Sequence, residues 1–435
     1  MPRFSLASCL LALLAAASGP AAAVDLYGGG ADSPAAAYVG DRYLETTPVA
    51  RLSRDRAIAV PFRTYAIAEL GNMQGTRVPV FADFHIRYPA DAVSYCRSGT
   101  VFGKKIFVAQ GTAQAGGDCA PNGVAGFTAL SARPDFIGSD APFSYSDYET
   151  FLTNLQAERG AVVQIPVLAQ AIAVIYKDGN GLPPGLGLNT ESVCRVFGGD
   201  IVDWSDSRLG LELPYPRPIT IVYSSAGSGA GFALSGYLQA NCNGRFGFPA
   251  DQFRQNADFV VAVGSALQRY AAVSAQLSED MAVSKVRQTV GALSYAGIGE
   301  TLAQGAMYAR VNGYDPAMLT PPNIPPASLL AGKVLDNGTI GDAPGALTTA
   351  MRNCLRTIAP SAPVTMAYPI VGVNYINAYY SGNGSKALPL RNLVRQFLRP
   401  NFTDTRVALP PGYAYLDGNA VFRALLSTAI NNCIN

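Results

Sequence analysis

The chain has 435 residues, with 32 Lys and Arg against 30 Asp and Glu, one histidine and a formal net charge of +2. That balance excludes the concentrated basic surface that nucleic-acid binding needs. With 49% hydrophobic and only 14% charged residues the chain is not a disordered one.

The first segment carries one positive charge, Arg3, then an apolar run from Leu6 to Ala17, and closes on Ala21-Ala22-Ala23. This is the pattern of a secretory leader cut before Val24. The run is shorter than the roughly 20 residues a membrane-crossing helix needs, and no basic stop follows it. Later, the apolar stretch from Leu168 to Tyr176 is soon closed by Lys177 and Asp178, so no membrane insertion is expected. Without a 23-residue leader 412 residues remain, more than one core usually supports, and two compact units are expected. Cys9 leaves with the leader, and no lipid-anchor cysteine stands at the cut. The six that stay are Cys96, Cys119, Cys194, Cys242, Cys354 and Cys433. An even count after export implies disulfides; fifteen connectivities are open, and the nearest-neighbour set 96–119, 194–242 and 354–433 is the expected one. Zinc is the rival, but no two cysteines have CxxC spacing.

The mature start is a glycine turn, Gly28-Gly29-Gly30-Ala31-Asp32-Ser33-Pro34, in which Asp32 or Ser33 can cap the helix that Pro34 opens. Arg51, Arg54, Arg56 and Arg63 then make a basic run, read as a solvated face. Val78 to Tyr88 reads as a strand that carries His85, the chain's single histidine, at its edge. A second glycine turn spans Ser98 to Lys104, followed by a strand at Ile106 to Ala109 and by Gly138-Ser139-Asp140. A helix at Tyr148 to Gln156 precedes strands at Val162 to Ile165 and Ile172 to Tyr176, and a helix at Thr190 to Phe197 follows. The strand Ile219 to Tyr223 runs directly into a third glycine turn, Ser224 to Phe232, and then a helix from Ala230 to Ala240. Gly264 to Ala275 reads as a helix, Pro321 to Pro326 as a surface loop, Ile370 to Tyr375 as a strand, and Leu390 to Leu398 and Ala420 to Asn431 as helices. Short apolar strands alternating with helical stretches make an α/β fold with a helix-covered sheet.

Catalysis by a serine or cysteine paired with histidine would rest on His85 alone, and Gly227-Ser228-Gly229 lacks the GxSxG spacing. Clustered His, Asp and Glu ligands for a metal are not visible, and no cofactor is implied. The glycine turns are more informative. Backbone N–H groups fanned outward at a helix start bind an anion without a charged side chain, and the third turn has the strand-then-helix context this requires.

Taken together, these features resemble a known family. Asp25-Leu26-Tyr27-Gly28-Gly29-Gly30-Ala31-Asp32-Ser33-Pro34 is similar to the D-I-N-G-G-G-A-T-L-P opening of DING proteins, a branch of the phosphate-binding proteins of ABC transporters. Val193-Cys194-Arg195-Val196-Phe197-Gly198-Gly199 with Asp203-Trp204-Ser205 resembles the family's L-C-G-V-F-S-G…D-W-S segment. Ala367-Tyr368-Pro369-Ile370 resembles its return to the first lobe, and the pairs 194–242 and 354–433 fall where family disulfides are expected.

The resemblance implies a two-lobed periplasmic-binding-protein fold of type II, with a small anion such as phosphate held in the cleft and closure about a hinge. It implies a leader at 1–23, a first lobe at 24–166 plus 346–435 and a second at 167–345. One crossing is expected near Gln164-Ile165-Pro166-Val167 and the other between about Ala343 and Tyr368. Carried over residue by residue, the ligand meets Asp32, Ser33, Thr100, Asp140, Ser224, Ser228, Gly229 and Ala230. Asp140 accepts a proton from the ligand, which would reject a fully ionised oxyanion such as sulfate. The sequence departs from the family where its first-turn threonine is Asp32, its arginine is Ser224 and its second threonine is Ala230. Losing that arginine alone weakens phosphate binding roughly tenfold to a hundredfold, unless Arg97 replaces it. The resemblance further implies a periplasmic or secreted monomer that partners an ABC permease. The rival functions are a secreted DING-like phosphatase and a surface or adhesive protein with a degenerate cleft.

Overall fold

A computed structural model describes residues 24–39, 51–52, 64–65, 79–109, 134–177, 179, 181–336, 339–359, 362, 364–365, 367–398, 409–416 and 418–435. The leader, Arg54, Arg56, Arg63 and Cys119 lie outside the described residues.

The first half of the molecule is built on β1 (Asp25–Gly30), α1 (Ala35–Val39), α2 (Val80–Arg87), β2 (Ala92–Arg97), α3 (Thr100–Ala109), β3 (Phe136–Ser139) and α4 (Tyr145–Arg159). Then comes β4 (Val162–Tyr176), a strand of 15 residues buried from end to end. The second half adds α5 (Thr190–Phe197), β5 (Thr220–Ser224), α6 (Gly229–Cys242), β6 (Ala272–Gln276), α7 (Glu279–Gln288), β7 (Ala292–Gly297) and α8 (Ile298–Ala303). The chain returns through the hairpin β8 (Lys333–Asp336) and β9 (Thr339–Asp342), then β10 (Val371–Tyr379), α9 (Ala387–Arg395), β11 (Tyr413–Tyr415) and α10 (Ala420–Cys433).

The main sheet has the order β2-β1-β3-β10-β4-β7-β5-β6, with β11 pairing to β4 beside β7. Strands β1, β2 and β3 are mutually parallel, as are β5, β6 and β7, and within these two blocks the strand carboxyl ends lie side by side. The antiparallel strands β4 and β10 join the blocks. Because β4 belongs to both blocks and is covered on both faces, its sequence is a near-continuous apolar run rather than an alternating one. It reads as two short strands in the sequence but is one element. Pro166, which cannot donate a ladder hydrogen bond, stands at a register shift: Pro166 pairs with Tyr375 and Leu168 with Asn374, leaving Val167 over as a bulge.

Several local expectations change. Ile106 to Ala109 forms the end of α3, because Val101, Phe102 and Lys105 face solvent while Ile106, Phe107 and Val108 are buried, a helical and not a strand division. The segment up to Tyr88 is α2, with Phe81 and Phe84 buried one turn apart, so His85 sits on a helix. Gly264 to Ala275 is a 3-10 turn at Gly264–Arg269 followed by the start of β6, an edge strand exposed enough to lack a strong apolar pattern. Other helices form where their caps dictate: Ser144 and Asp147 make a capping box at α4, and Asn189 accepts from the Ser192 N–H at α5.

Disulfides join Cys194 to Cys242, tying α5 to the end of α6, and Cys354 to Cys433. In the chain-entropy account, closing loops of 48 and 79 residues contributes about 4 kcal/mol each. Cys96 is also disulfide-bonded, while its expected partner Cys119 lies outside the described residues. The hairpin β8–β9 packs on the first half: the Leu335 N–H donates to the Phe143 carbonyl at 2.9 Å, and Val334, Ala343 and Leu347 share a core with Phe107, Phe143 and Tyr148. Among the described residues no helix is long and apolar enough to cross a membrane.

Candidate functional site

Parallel strands whose carboxyl ends align create a crevice where the following loops converge. In the first block β1, β2 and β3 end in register, with Gly30 opposite both Arg97 and Gly138. The loops that follow therefore carry Asp32 and Ser33, Gly99 and Thr100, and Asp140 to one rim. Gly30 is required for this approach: its φ is +123°, and a Cβ there would lie 2.2 Å from the Gly138 carbonyl oxygen. On the opposing rim β5 ends at Ser224, and the Gly227-Ser228-Gly229 turn opens α6.

The two rims meet at Asp140 and Gly229. A Cβ at Gly229 would sit 2.1 Å from the Asp140 Cβ and 2.5 Å from its Oδ2, so only glycine permits this contact. Asp140 is 8% exposed. Its backbone N–H donates to Thr100 Oγ1 at 3.1 Å, and that hydroxyl donates to Oδ2 at 3.4 Å. Asn374 Nδ2 donates to Oδ1 and also to Ser33 Oγ at 3.4 Å, while Ser33 itself hydrogen-bonds the carboxyl. Burial pushes the Asp140 carboxyl up to about 6, held back by these donors from Ser33, Asn374 and Thr100.

The expected ligand residues thus fall on two facing rims. Ser33, Thr100 and Asp140 form one hydrogen-bonded group, and Asp32 is linked to it because its Oδ1 accepts from the Gly99 N–H at 3.2 Å. Ser228 caps α6, accepting from the Gly231 N–H at 2.9 Å, and Gly229 and Ala230 are buried in its first turn. Ser224 is buried with Oγ unpartnered, and so are Gln170 Nε2 and the Tyr295 hydroxyl. A Cβ on Gly231 would lie 3.2 Å from the Tyr295 hydroxyl and 3.3 Å from Ser228 Oγ, and one on Gly297 would lie 2.4 Å from Gln170 Nε2. Buried donors without partners are rare in folded proteins, and these three surround the ends of β5 and β7.

Four neighbours escaped the sequence reading. Asn374 was detectable in principle, as an amide inside the apolar strand Val371-Gly372-Val373-Asn374-Tyr375-Ile376. Gln170 gives the same signal within β4. Tyr413 donates to the Ser33 carbonyl, and a Cβ at Gly299 would lie 2.6 Å from its hydroxyl, so it bridges the two rims. Glu279, at the start of α7, accepts from the Gly297 N–H at 2.7 Å. Burial drives the Glu279 carboxyl up to about 8, with the charges of Glu300, Asp140 and Asp32 acting in the same direction and the Gly297 N–H opposing. Although the residue as a whole is only half-buried, its carboxyl points inward, and that local enclosure governs its protonation. Burial raises Glu300 too, with Arg97 among the groups opposing it, so Arg97 acts on this second-rim carboxyl across the cleft. Acids held toward their neutral form let the crevice carry several carboxyls and still admit an anion. Among the described residues no group of three or more His, Cys, Asp or Glu could hold a metal ion.

A family model described as a PBP superfamily domain matches residues 79–382. Alkaline phosphatase L of Pseudomonas aeruginosa is 28% identical over 225 residues, 51% of this chain and 54% of that protein. Phosphate-binding protein PstS 2 of Mycobacterium tuberculosis is 30% identical over 130 residues, 28% of this chain and 34% of that protein. The chain thus matches about half or less of these relatives' lengths. A solved phosphate-binding protein from Stenotrophomonas maltophilia superposes with a TM-score of 0.56 at 19% identity, covering 94% of each chain. The phosphate-bound periplasmic protein PfluDING does so with a TM-score of 0.53 at 17% identity, covering 93% of this chain and 92% of its own. At these identities the likeness is one of fold: two α/β lobes about a shared cleft.

Proposed function

The chain belongs to the PBP superfamily, and on that premise we propose that it is an exported solute-binding protein holding phosphate, or a closely related oxyanion, between its lobes. The observation that carries this reading is the meeting of Asp140 with the glycine start of α6. One rim supplies a carboxyl that accepts a proton from the ligand; the other supplies helix N–H groups and the positive end of the helix dipole. The unpartnered Ser224 Oγ, Gln170 Nε2 and Tyr295 hydroxyl add donors in place of the family's arginine. Relatives named for phosphate binding support the ligand class.

In this reading the mature protein acts in the periplasm or outside the cell, as a monomer that delivers its ligand to an ABC permease. The first lobe comprises residues 24–166 and the returning C-terminal part; the second begins at 167. The packing of β8–β9 against Phe143 favours a return before Lys333, ahead of the boundary at 345/346 that the sequence suggests.

Hydrolysis is the reading that the likeness to alkaline phosphatase L raises. The geometry favours holding over attack, because Ser228 Oγ is engaged as the cap of α6.

Isothermal titration with phosphate and sulfate tests the proposal. The parent is expected to bind phosphate and to reject sulfate. Asp140→Asn, whose amide can donate to an oxyanion but accepts its proton more weakly, is expected to lose phosphate affinity by roughly tenfold to a hundredfold while its preference over sulfate collapses. Unchanged discrimination in that variant would remove Asp140 from the site.

A further inference from the structure

Asp140 has a second environment. Beyond the anion corner it forms part of the wall of a cavity of about 360 Å³ between α6 and β10. That volume lies within the range of small-molecule sites and is several times what a tetrahedral oxyanion fills. Its lining is mixed: side chains of Phe232, Tyr237, Ile324, Ile358, Val371 and Tyr375 supply an apolar part a little larger than the polar one.

The cavity continues the anion corner along a single helix face. Gly229 touches Asp140, while Phe232, Ala233, Gly236, Tyr237 and Ala240 line the cavity. These positions follow Gly229 at three, four, seven, eight and eleven residues, the spacing of one face of a helix. Small side chains at Ala233, Gly236 and Ala240 leave the groove open. Opposite, Val371, Val373 and Tyr375 alternate along β10. Two of its polar side chains are committed elsewhere: Asn241 Nδ2 donates to the Tyr237 carbonyl, and the Tyr237 hydroxyl to Thr190. Gln255 is different, being 4% exposed with its Oε1 unpartnered.

We propose that this cavity receives the organic group of a phosphomonoester or phosphonate, an uncharged body that sets apolar carbon against Phe232, Val371 and Tyr375 and a hydrogen-bond donor against Gln255, while its oxyanion sits between Asp140 and the start of α6. The inference rests on the oxyanion reading above and names its substrate class. An inorganic ion would use the corner and leave the apolar walls in water. An ester would bury them, and each apolar carbon removed from water adds to affinity. Among the described lining residues Asp140, already committed to the oxyanion, is the only one with a charge, so a strongly charged substituent gains no counter-ion from them.

The test is isothermal titration of the mature protein with inorganic phosphate and with phenyl phosphate, for the parent and for Ala240→Trp. Ala240 is an exposed helical position at the cavity wall, so the indole closes the cavity with no core residue displaced. The parent is expected to bind phenyl phosphate at least about tenfold more tightly than phosphate. Ala240→Trp is expected to erase that advantage and leave inorganic phosphate within about twofold. Phenyl phosphate binding no better than phosphate in the parent overturns the substituent site and leaves the oxyanion reading standing. An ester advantage that survives in the variant does the same. If neither compound binds the parent, both readings fall together.

Discussion

Gly229→Ala is expected to weaken phosphate binding by on the order of a hundredfold, by preventing the rims from meeting. The added Cβ would lie 2.1 Å from the Asp140 Cβ. That atom is anchored to the backbone directly after β3, so no side-chain rotation relieves the clash. Asp140 is also held by Thr100 and Asn374, and moving it would break those hydrogen bonds. The remaining outcome is separation of the two rims, which removes the N–H groups of α6 from the reach of an anion held by the other rim. Within α6 itself alanine is a better helix former than glycine, so neither lobe should lose stability. The expected signature is therefore specific: far-UV circular dichroism and thermal midpoint of the ligand-free protein unchanged, titration heat lost, and a solution scattering radius that no longer contracts when phosphate is added. A variant that binds like the parent would show that the two rims do not close on the ligand at this point.

Glu279→Gln is expected to stabilise the protein at neutral and alkaline pH and leave it unaltered below about pH 4. The Glu279 carboxyl is raised from 4.5 to about 8 in the folded protein by burial, with the Glu300, Asp140 and Asp32 charges adding to it. A carboxyl raised on folding contributes stability that is fully present below its unfolded value and is lost as pH rises through its folded value. The loss attributable to Glu279 accordingly develops between about 4.5 and about 8. Discounted for solvent near a half-buried residue, it amounts to roughly 3 kcal/mol by pH 9. Glutamine keeps an oxygen for the Gly297 N–H and cannot ionise, so the penalty disappears. Urea unfolding at pH 4, 7 and 9 should give nearly equal stabilities for parent and variant at pH 4, most of the variant's advantage at pH 7, and a modest further gain by pH 9 as the effect levels off above about 8. A constant difference at all three values would mean that Glu279 is already ionised in the folded protein. The same chemistry bears on binding, because a neutral Glu279 at pH 7 spares the anion a charge that would repel it.

How far the site could be read from the sequence depended on what each residue's neighbours contribute. Gly28-Gly29-Gly30 and Gly227-Ser228-Gly229 announce themselves, since glycine is placed where the backbone must approach closely and their positions before a helix carry that meaning locally. The helices at Thr190 and Ala420 were legible for a similar reason, with caps at Asn189 and Asn419 and continuous helical spacing behind them. Asn374, Gln170, Tyr413 and Glu279 were not, because their roles arise only when distant segments pack together: Asn374 reaches Asp140 across 234 positions and Tyr413 reaches Ser33 across 380, while Gln170 lies against Gly297 and Glu279 near Asp140 and Asp32. Segments such as Ile106 to Ala109 and Gly264 to Ala275 were misread because short apolar runs, or edge strands open to water, have no period that separates strand from helix.

By itself the sequence determined the α/β class, the alternation of strands and helices, the glycine corners and, with family likeness, the pairing of Cys194 with Cys242 and Cys354 with Cys433. Apart from the disulfide pairing, which rests on the family likeness, these follow from local propensity, periodicity and residue type, which act over one or two turns of chain. Only the tertiary structure decided that β4 is a single strand shared by both halves, that Asp140 abuts Gly229, and that a cavity opens along the same face of α6. Those facts depend on strand order and on which surfaces become buried together. Contacts between distant segments, and the burial that raises Asp140 and Glu279, exist only once the sheet has assembled.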